Sequence, residues 1–282
     1  QEGSLVYLGG FGSPLSCVGA QLPAPTLGRA MRLVEPGDDV LFSDERASFF
    51  RNGAPVATVS LHEAQEVDLR LSGPLPDTAL AHLARSLACA DVGFGVGLEP
   101  DENLRCVLRQ LSESTTDGWP AAVRWLLGRG PGLTPSGDDI LCGFGVGLLV
   151  RGEAGAHEVL CTSMRDARRV RRTTYVSEAY LDAMAEGYAN EGVLDLLRAA
   201  GEGDALGGFI ARVRDYGHTS GCDTLLGLAL ALGRGRSAPE GDVRMGWGLV
   251  QGAGVRRGTP AVSFERIGVT GRSAGGSPAP RP

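Results

Sequence analysis

The residues best suited to chemistry lie in a short motif that the chain contains twice. Ser136-Gly137-Asp138-Asp139 precedes one apolar run, and Ser220-Gly221-Cys222-Asp223 precedes another, with Ser, Gly, Asp, Leu and Gly at matching positions. A serine followed three residues later by an acidic residue is typical of a capped helix start. Carboxylates at such a position can help to hold Mg²⁺ or can accept hydrogen bonds from an amide or carbamoyl NH2 group.

The two motifs are predicted to begin helices that pack against each other near their N-terminal ends. Gly143 and Gly147 follow the first motif, and Gly227 and Ala231 follow the second, so small residues recur four positions apart on one face of each helix. Helix N-termini carry unpaired backbone N–H groups and the positive end of the helix dipole. Two converging N-termini would therefore form an anion site, flanked by the aspartates of both motifs.

Further candidates lie near the motifs in the sequence. His218 comes directly before the second motif and could donate to an oxyanion or carry a proton. Arg172 ends a basic run, and its guanidinium and the hydroxyls that follow it suit phosphate or carboxylate. The predicted catalytic residues are His218, Asp139 and Asp223. The predicted substrate-binding residues are Thr134, Ser136, Gly137, Asp138, Arg172, Thr173, Thr174, Ser177, Ser220 and Gly221.

The residues alone leave other interpretations open. Helix starts of this kind are often purely structural, and a duplicated helix pair explains the repetition without any site. Asp138 and Asp139 could instead hold Mg²⁺ in a nucleotide-dependent phosphoryl or carboxyl transferase. The third alternative is a non-catalytic subunit whose motifs lock helices together and present a surface to partners.

Composition limits the class of protein. The chain has 282 residues, 43% apolar content and a net charge of −6, which predicts a globular protein with a sizeable core. The acidic balance argues against general binding to nucleic acid or an anionic membrane. All basic side chains other than histidine are arginine, so lysine chemistry is excluded. The six cysteines show no metal or disulfide spacing, and no segment resembles a signal peptide, so we expect a cytoplasmic protein.

The pattern of apolar residues predicts an α+β fold. Residues 1–75 are expected to form a small antiparallel, barrel-like β domain, with strands at 5–8, 30–34, 39–42, 47–50, 57–60 and 67–71. Residues 76–252 are expected to form a mostly helical domain that carries both motifs. Its helices are predicted at 79–90, 104–111, 121–127, 138–150, 157–168, 176–188, 193–200, 206–216 and 223–232. Residues 253–282 are rich in Gly, Ser and Pro and are predicted to be a poorly ordered tail.

Three motifs, taken together and in this order, resemble a known family. They are the segment 128–139, the pattern Thr173-Thr174-x-x-Ser177, and the segment 217–223. They resemble a bacterial domain-of-unknown-function family that includes the AllH subunit of oxamate carbamoyltransferase, most clearly over residues 119–232. The chain has no Ser-Thr-Arg-Thr phosphate loop and no His-Pro-x-Gln, and is thus unlike the common transcarbamoylases.

The resemblance implies a part in the reaction of oxalurate with phosphate to give oxamate and carbamoyl phosphate, within allantoin and purine breakdown and together with other protein subunits. The expected ligand is therefore a small anion such as carbamoyl phosphate, phosphate or an oxamate-like molecule. On this hypothesis the helix N-termini, Arg172 and the adjacent threonines bind its anionic group. Asp139 and Asp223 orient a carbamoyl nitrogen or a metal such as Mg²⁺, and His218 stabilises an oxyanion or shuttles a proton.

Overall fold

The computed structural model describes residues 5–43, 45–90, 92–170 and 172–235. The predicted tail at 253–282 and the last part of the predicted helical domain lie outside the described residues. The described part is α+β, as predicted, with a small sheet region followed by a mostly helical region. The boundaries proposed at residues 75 and 252 stay a prediction. No helix in the described part of the chain is long and apolar enough to cross a membrane.

The N-terminal region contains two small sheets and one helix. Its elements are β1 (Tyr7–Gly10), β2 (Gly19–Leu22), α1 (Ala24–Leu33), β3 (Asp39–Ser43), β4 (Arg46–Arg51) and β5 (Ala54–Ser60). Strands β3, β4 and β5 form an antiparallel sheet in that order, whereas β1 and β2 pair in parallel. The β4–β5 hairpin turns at Asn52 and Gly53, which both have positive φ, as the Asn-Gly sequence favours.

Three N-terminal predictions are wrong. The sheets do not close into a barrel among the described strands, because β1–β2 and β3–β5 are separate sheets. Residues 30–34 are not a strand, since α1 extends to Leu33. In that helix Leu27 and Ala30 lie three positions apart and face the same small core, so helical periodicity outweighs the short apolar run. Residues 67–71 contribute only an isolated bridge between Arg70 and Tyr188.

The helical region agrees with the predicted helices. It comprises α2 (Asp77–Cys89), α3 (Glu102–Ser112), α4 (Trp119–Leu126), α5 (Ser136–Val150), α6 (Ala154–Arg168), α7 (Tyr175–Ala185), α8 (Glu191–Glu202), α9 (Gly207–Arg214) and α10 (Ser220–Gly233), with a short 3-10 turn at Val92–Gly95. All nine predicted segments are helical over most of their length. The two motifs begin α5 and α10, as predicted.

The main hydrophobic core surrounds α5 and α10, which are apolar on all sides. Ile140, Phe144 and Leu148 of α5 are fully buried, and Phe144 meets Trp119 of α4 edge to face, with ring centroids 5.1 Å apart. A smaller core lies under the N-terminal sheet. Several hydrogen bonds tie the N-terminal chain to the helices; among them, Leu15 N donates to Glu191 Oε2 at 2.7 Å and Cys17 N donates to Asn190 Oδ1 at 2.9 Å.

Helices α5 and α10 touch backbone to backbone through glycine. A Cβ at Gly143 would lie 1.9 Å from the carbonyl oxygen of Thr224, and a Cβ at Gly227 would lie 2.0 Å from that of Ile140. Ile140 and Thr224 occupy the same position in the two motif copies, as do the two glycines. The two helices are thus related by a local near-two-fold arrangement. This packing brings both N-termini to the same place.

Candidate functional site

The hydroxyls of the two motifs reach across to the opposite helix. Thr134 Oγ1 and Ser220 Oγ are 2.8 Å apart, and Ser136 Oγ and Thr219 Oγ1 are 3.5 Å apart. The capping-box interpretation is therefore wrong. Each serine is the first residue of its helix rather than the cap, and neither helix has a side-chain cap hydrogen bond. The serines link the two helix starts instead of closing their own.

Fewer backbone N–H groups are free than the sequence predicts. Gly137 N donates to Arg129 O at 2.8 Å, and Gly221 N donates to Tyr216 O at 3.1 Å. The amides of all three motif aspartates likewise donate to carbonyls just before their helices. Among the described residues, the amides of Ser136 and Ser220 have no acceptor in hydrogen-bonding geometry. Backbone binding of an anion could therefore involve only part of each helix start.

Asp139 and Asp223 lie in the interior between the two helix starts. Asp139 is 8% exposed and Asp223 is fully buried, and the Oδ2 atom of each has no hydrogen-bond partner among the described residues. The other oxygen of Asp223 accepts a hydrogen bond from Gly97 N at 3.0 Å. A buried polar atom without a partner costs free energy, so each of these two atoms indicates a place where a ligand or water donates.

The surroundings of the Asp139 and Asp223 carboxyl groups give them different pKa values. Burial raises the pKa of Asp139 to about 8, against the lowering effect of the Ser220 and Thr134 hydroxyls, and the negative charge of Asp223 raises it further. Burial also raises the pKa of Asp223, to about 6, and the Gly97 amide opposes that increase. Near neutral pH, Asp139 therefore carries a proton while Asp223 is mostly ionised.

Asp138 has a different environment from the other two aspartates. It is fully buried and accepts hydrogen bonds from Gly128 N at 2.8 Å, from Ser177 Oγ at 2.7 Å and from Thr173 Oγ1. Thr174 Oγ1 donates to Leu133 O and accepts from Ser177 N at 3.0 Å, which caps α7. Asp138 thus joins three segments of the chain. The hydroxyls of Thr173, Thr174 and Ser177, which were predicted to bind substrate, already have hydrogen-bond partners within the protein.

Arg172 and His218 lie at the surface. Both side chains are exposed, and neither forms an ion pair with any of the residues that the structure describes. The backbone of Arg172 lies against Gly128, where a Cβ would come within 2.5 Å of the Arg172 carbonyl oxygen. His218 immediately precedes Thr219, whose hydroxyl belongs to the buried cluster. The structure thus places these two candidates outside the buried carboxylate cluster.

One contributor to the site was not predicted. The segment 93–97 contacts the start of α10, and Gly97 donates to Asp223. A Cβ at Gly97 would lie 2.3 Å from Ser136 Oγ and 2.6 Å from Thr219 Oγ1. The sequence does contain a feature that could have drawn attention to this segment: the hexapeptide at 93–98 is repeated without change at 143–148.

The cluster is better suited to N–H donors than to a metal ion. No group of three or more His, Cys, Asp or Glu side chains that could hold a metal occurs within the described ranges. Asp139, Asp223 and the neighbouring hydroxyls are the side chains that could bind Mg²⁺ together with waters. The positive ends of two helix dipoles oppose a cation at this point. A neutral NH2 group meets no such repulsion and can donate to Oδ2 of ionised Asp223 and to the unprotonated oxygen of the Asp139 carboxyl group.

One family model matches part of the helical region. The family model described as oxamate carbamoyltransferase subunit AllH matches residues 126–232, a segment that contains both motifs and the Asp138 anchor. No solved structure matches the chain. The matched segment coincides with the region that places Asp139 and Asp223 between two helix starts. Over residues 126–232 the chain is therefore similar to the AllH family of oxamate carbamoyltransferase subunits.

Proposed function

We propose that this chain is a component of a carbamoyltransferase and binds the carbamoyl group of its substrate between Asp139 and Asp223. The observation that carries the proposal is the pair of buried Oδ2 atoms without a partner, one from each motif copy. A carbamoyl NH2 has two N–H donors, which match two acceptors. The family description, oxamate carbamoyltransferase subunit, supports the same chemical class.

The reaction proposed is the phosphorolysis of oxalurate. A phosphate oxygen attacks the carbamoyl carbon, the bond from that carbon to the oxamate nitrogen breaks, and the oxamate nitrogen takes up a proton. Asp139 is a suitable source of that proton, because burial raises its pKa to about 8 and keeps it protonated near neutral pH. Ionised Asp223 holds the carbamoyl NH2 group.

The remaining candidates receive roles that fit their positions. Arg172, which is exposed, and the amides of Ser136 and Ser220 bind the phosphate or the substrate carboxylate. His218 approaches the developing oxyanion from the surface. Asp138, Thr173, Thr174 and Ser177 hold the loops in place, because their polar atoms already have partners. The anionic groups therefore lie toward the surface, where the partner subunits of the enzyme have access.

A second candidate function is assembly without catalysis. It is favoured by the glycines of the two helices, since Gly143 and Gly227 are required for close packing and not for any ligand. In that case the duplicated motif would serve only to join α5 and α10. The two functions differ in what Asp139 does, because packing does not explain two buried oxygens without partners.

A thermal-shift titration of the full chain tests the proposal. Carbamoyl phosphate, phosphate, oxamate, oxalurate and ATP are each added with and without Mg²⁺ to the wild type, to Asp139→Asn and to the exposed control Asp117→Asn. A ligand that binds the native state raises Tm as its concentration passes Kd. We expect oxalurate or carbamoyl phosphate to raise Tm in the wild type and the control only. Equal shifts in all three proteins would exclude Asp139 from the site, and a shift by ATP alone that needs Mg²⁺ would favour a nucleotide-dependent transferase.

A further inference from the structure

The hexapeptide Gly-Phe-Gly-Val-Gly-Leu has two structures in this protein. At 143–148 it lies inside α5, where its glycines allow close packing against α10 and α7. At 93–98 it forms the end of a 3-10 turn and the loop that follows, in the short connection between α2 and α3. This first copy contacts the start of α10 at the motif that carries Asp223. It lies outside the segment that matches the family model.

This loop needs glycine because neighbouring atoms leave little room for a side chain, and not because its backbone has a positive φ. Neither Gly95 nor Gly97 has a positive φ. A Cβ at Gly95 would lie 2.3 Å from Cys222 Sγ, and a Cβ at Gly97 would lie 2.3 Å from Ser136 Oγ. These are distances that real Cβ atoms do not adopt. The loop therefore approaches both motif copies so closely that a side chain at position 97 fits only if the hydroxyls of Ser136 and Thr219 move.

Gly97 also determines which oxygen of Asp223 is available. Its N–H donates to Oδ1 at 3.0 Å, and Oδ2 is left buried without a partner among the described residues. The same hydrogen bond opposes the effect of burial and helps to keep the pKa of Asp223, about 6, below the pKa of Asp139, about 8. Without the amide, the two carboxyl groups would be more alike in charge and in orientation.

We propose that Gly97 is a positioning residue of the site: its N–H holds Asp223 with Oδ2 free for the ligand, and its missing side chain leaves room beside the hydroxyls of Ser136 and Thr219. This inference rests on the proposed carbamoyl site for the ligand, but the hydrogen bond to Asp223 can be measured without any ligand. The loop at 93–97 then forms a wall of the site together with the starts of α5 and α10.

The first test follows the amide resonance of Gly97 in ¹⁵N-labelled full chain from pH 4 to pH 9. We expect a downfield ¹H shift that develops as Asp223 ionises, with a midpoint near pH 6. The shift must disappear in Asp223→Asn and persist in His218→Ala, which removes the nearby imidazole. Asp139 on α5 is the other carboxyl group facing Asp223, and it is still protonated near pH 6, so Asp139→Asn must leave both the midpoint and the shift largely unchanged. A Gly97 resonance that does not respond to pH, or that still titrates in Asp223→Asn, would overturn the inference.

The second test compares Gly97→Ala with Gly208→Ala, a matched change at a helical glycine with no atom near its Cβ position. Urea unfolding establishes that each variant is folded. We expect Gly97→Ala to weaken oxalurate or carbamoyl phosphate binding at least about ten-fold, and Gly208→Ala to bind as the wild type does. Unchanged binding by folded Gly97→Ala would contradict the role. If wild-type protein binds neither compound, the proposed function fails, and the amide titration still decides whether Gly97 positions Asp223.

Discussion

Asp139 and Asp223 occupy the same position in two copies of one motif, and the packing of α5 on α10 brings both into the interior at the helix starts. The negative charge of Asp223 is one of the causes that raise the pKa of Asp139. Two buried carboxyl groups without a described cation beside them are most stable when one of them is protonated. Because the two pKa values differ, the nearly symmetric pair of helices presents one protonated and one ionised carboxyl group near neutral pH.

The raised pKa of Asp139 predicts how stability depends on pH. The unfolded side chain releases its proton near pH 3.8, whereas the folded one retains it to about pH 8. The contribution of Asp139 to stability is therefore complete below about pH 4 and is lost as the pH rises to about 8, with a slope of up to about 1.4 kcal/mol per pH unit. Asp139→Asn should remove this slope and should be more stable than the wild type at pH 8. Urea unfolding at several pH values measures the difference, and a variant that is less stable than the wild type throughout would contradict the assignment.

The glycine contact between α5 and α10 predicts a large loss of stability on adding one methyl group. Gly143→Ala and Gly227→Ala should each reduce the free energy of unfolding by about 3 kcal/mol, because the new Cβ would collide with backbone that cannot rotate away. Gly155→Ala is the control, since no atom lies near its Cβ position in α6. It should be neutral or slightly stabilising. Similar effects at all three positions would show that the helices do not meet as described.

Asp138 should matter for stability and not for binding alone. Asp138→Ala leaves three buried or half-buried donors without their acceptor, among them Gly128 N and Ser177 Oγ, and should cost about 3 kcal/mol or more. Asp101→Ala removes a simpler contact, the side-chain cap of α3, and should cost about 1 kcal/mol. Chemical denaturation of both variants provides the comparison. A smaller effect at Asp138 than at Asp101 would argue against its role as an anchor.

Arg172 should affect the binding of the anionic group without affecting folding. It is exposed and has no described ion pair, so Arg172→Ala should leave the free energy of unfolding within about 0.5 kcal/mol of the wild type. It should weaken the binding of carbamoyl phosphate about ten-fold, and the loss should shrink at high salt. Arg169→Ala is the control, because Arg169 is also exposed and already pairs with Asp166. Equal binding by the two variants would remove Arg172 from the site.

The helices of this fold could be predicted from sequence because their apolar patterns are long. The N-terminal region was harder, because α1 and the strands are short, and a run such as 30–34 is compatible with either structure. The hexapeptide shared by 93–98 and 143–148 shows the limit most clearly. Inside the fifteen-residue helix α5 it is part of a longer helical segment, whereas between α2 and the Glu99-Pro100 pair it is too short to form a helix.

Asp139 and Asp223 could be named as candidates from the sequence, whereas the geometry around them could not, and their binding of a ligand stays a prediction. Repetition of the motif identified Asp139 and Asp223, but it did not reveal that Ser136 and Ser220 pair with the opposite helix instead of capping their own. The spacing of Ser and Asp is the same in both cases. The contribution of Gly97 depends on a contact between residues 126 positions apart, which no local pattern contains. Such contacts follow from the packing of helices around α5 and α10.

The central claim is that a carbamoyl NH2 group binds between Asp139 and Asp223. The most direct measurement is a crystal structure of the full chain with oxalurate, at a resolution that distinguishes the orientation of the bound molecule. The account predicts its terminal nitrogen within hydrogen-bonding distance of both Oδ2 atoms, with the carboxylate directed toward Arg172 at the surface. Oxalurate bound elsewhere on the chain, or bound with its carboxylate against the two aspartates, would contradict it.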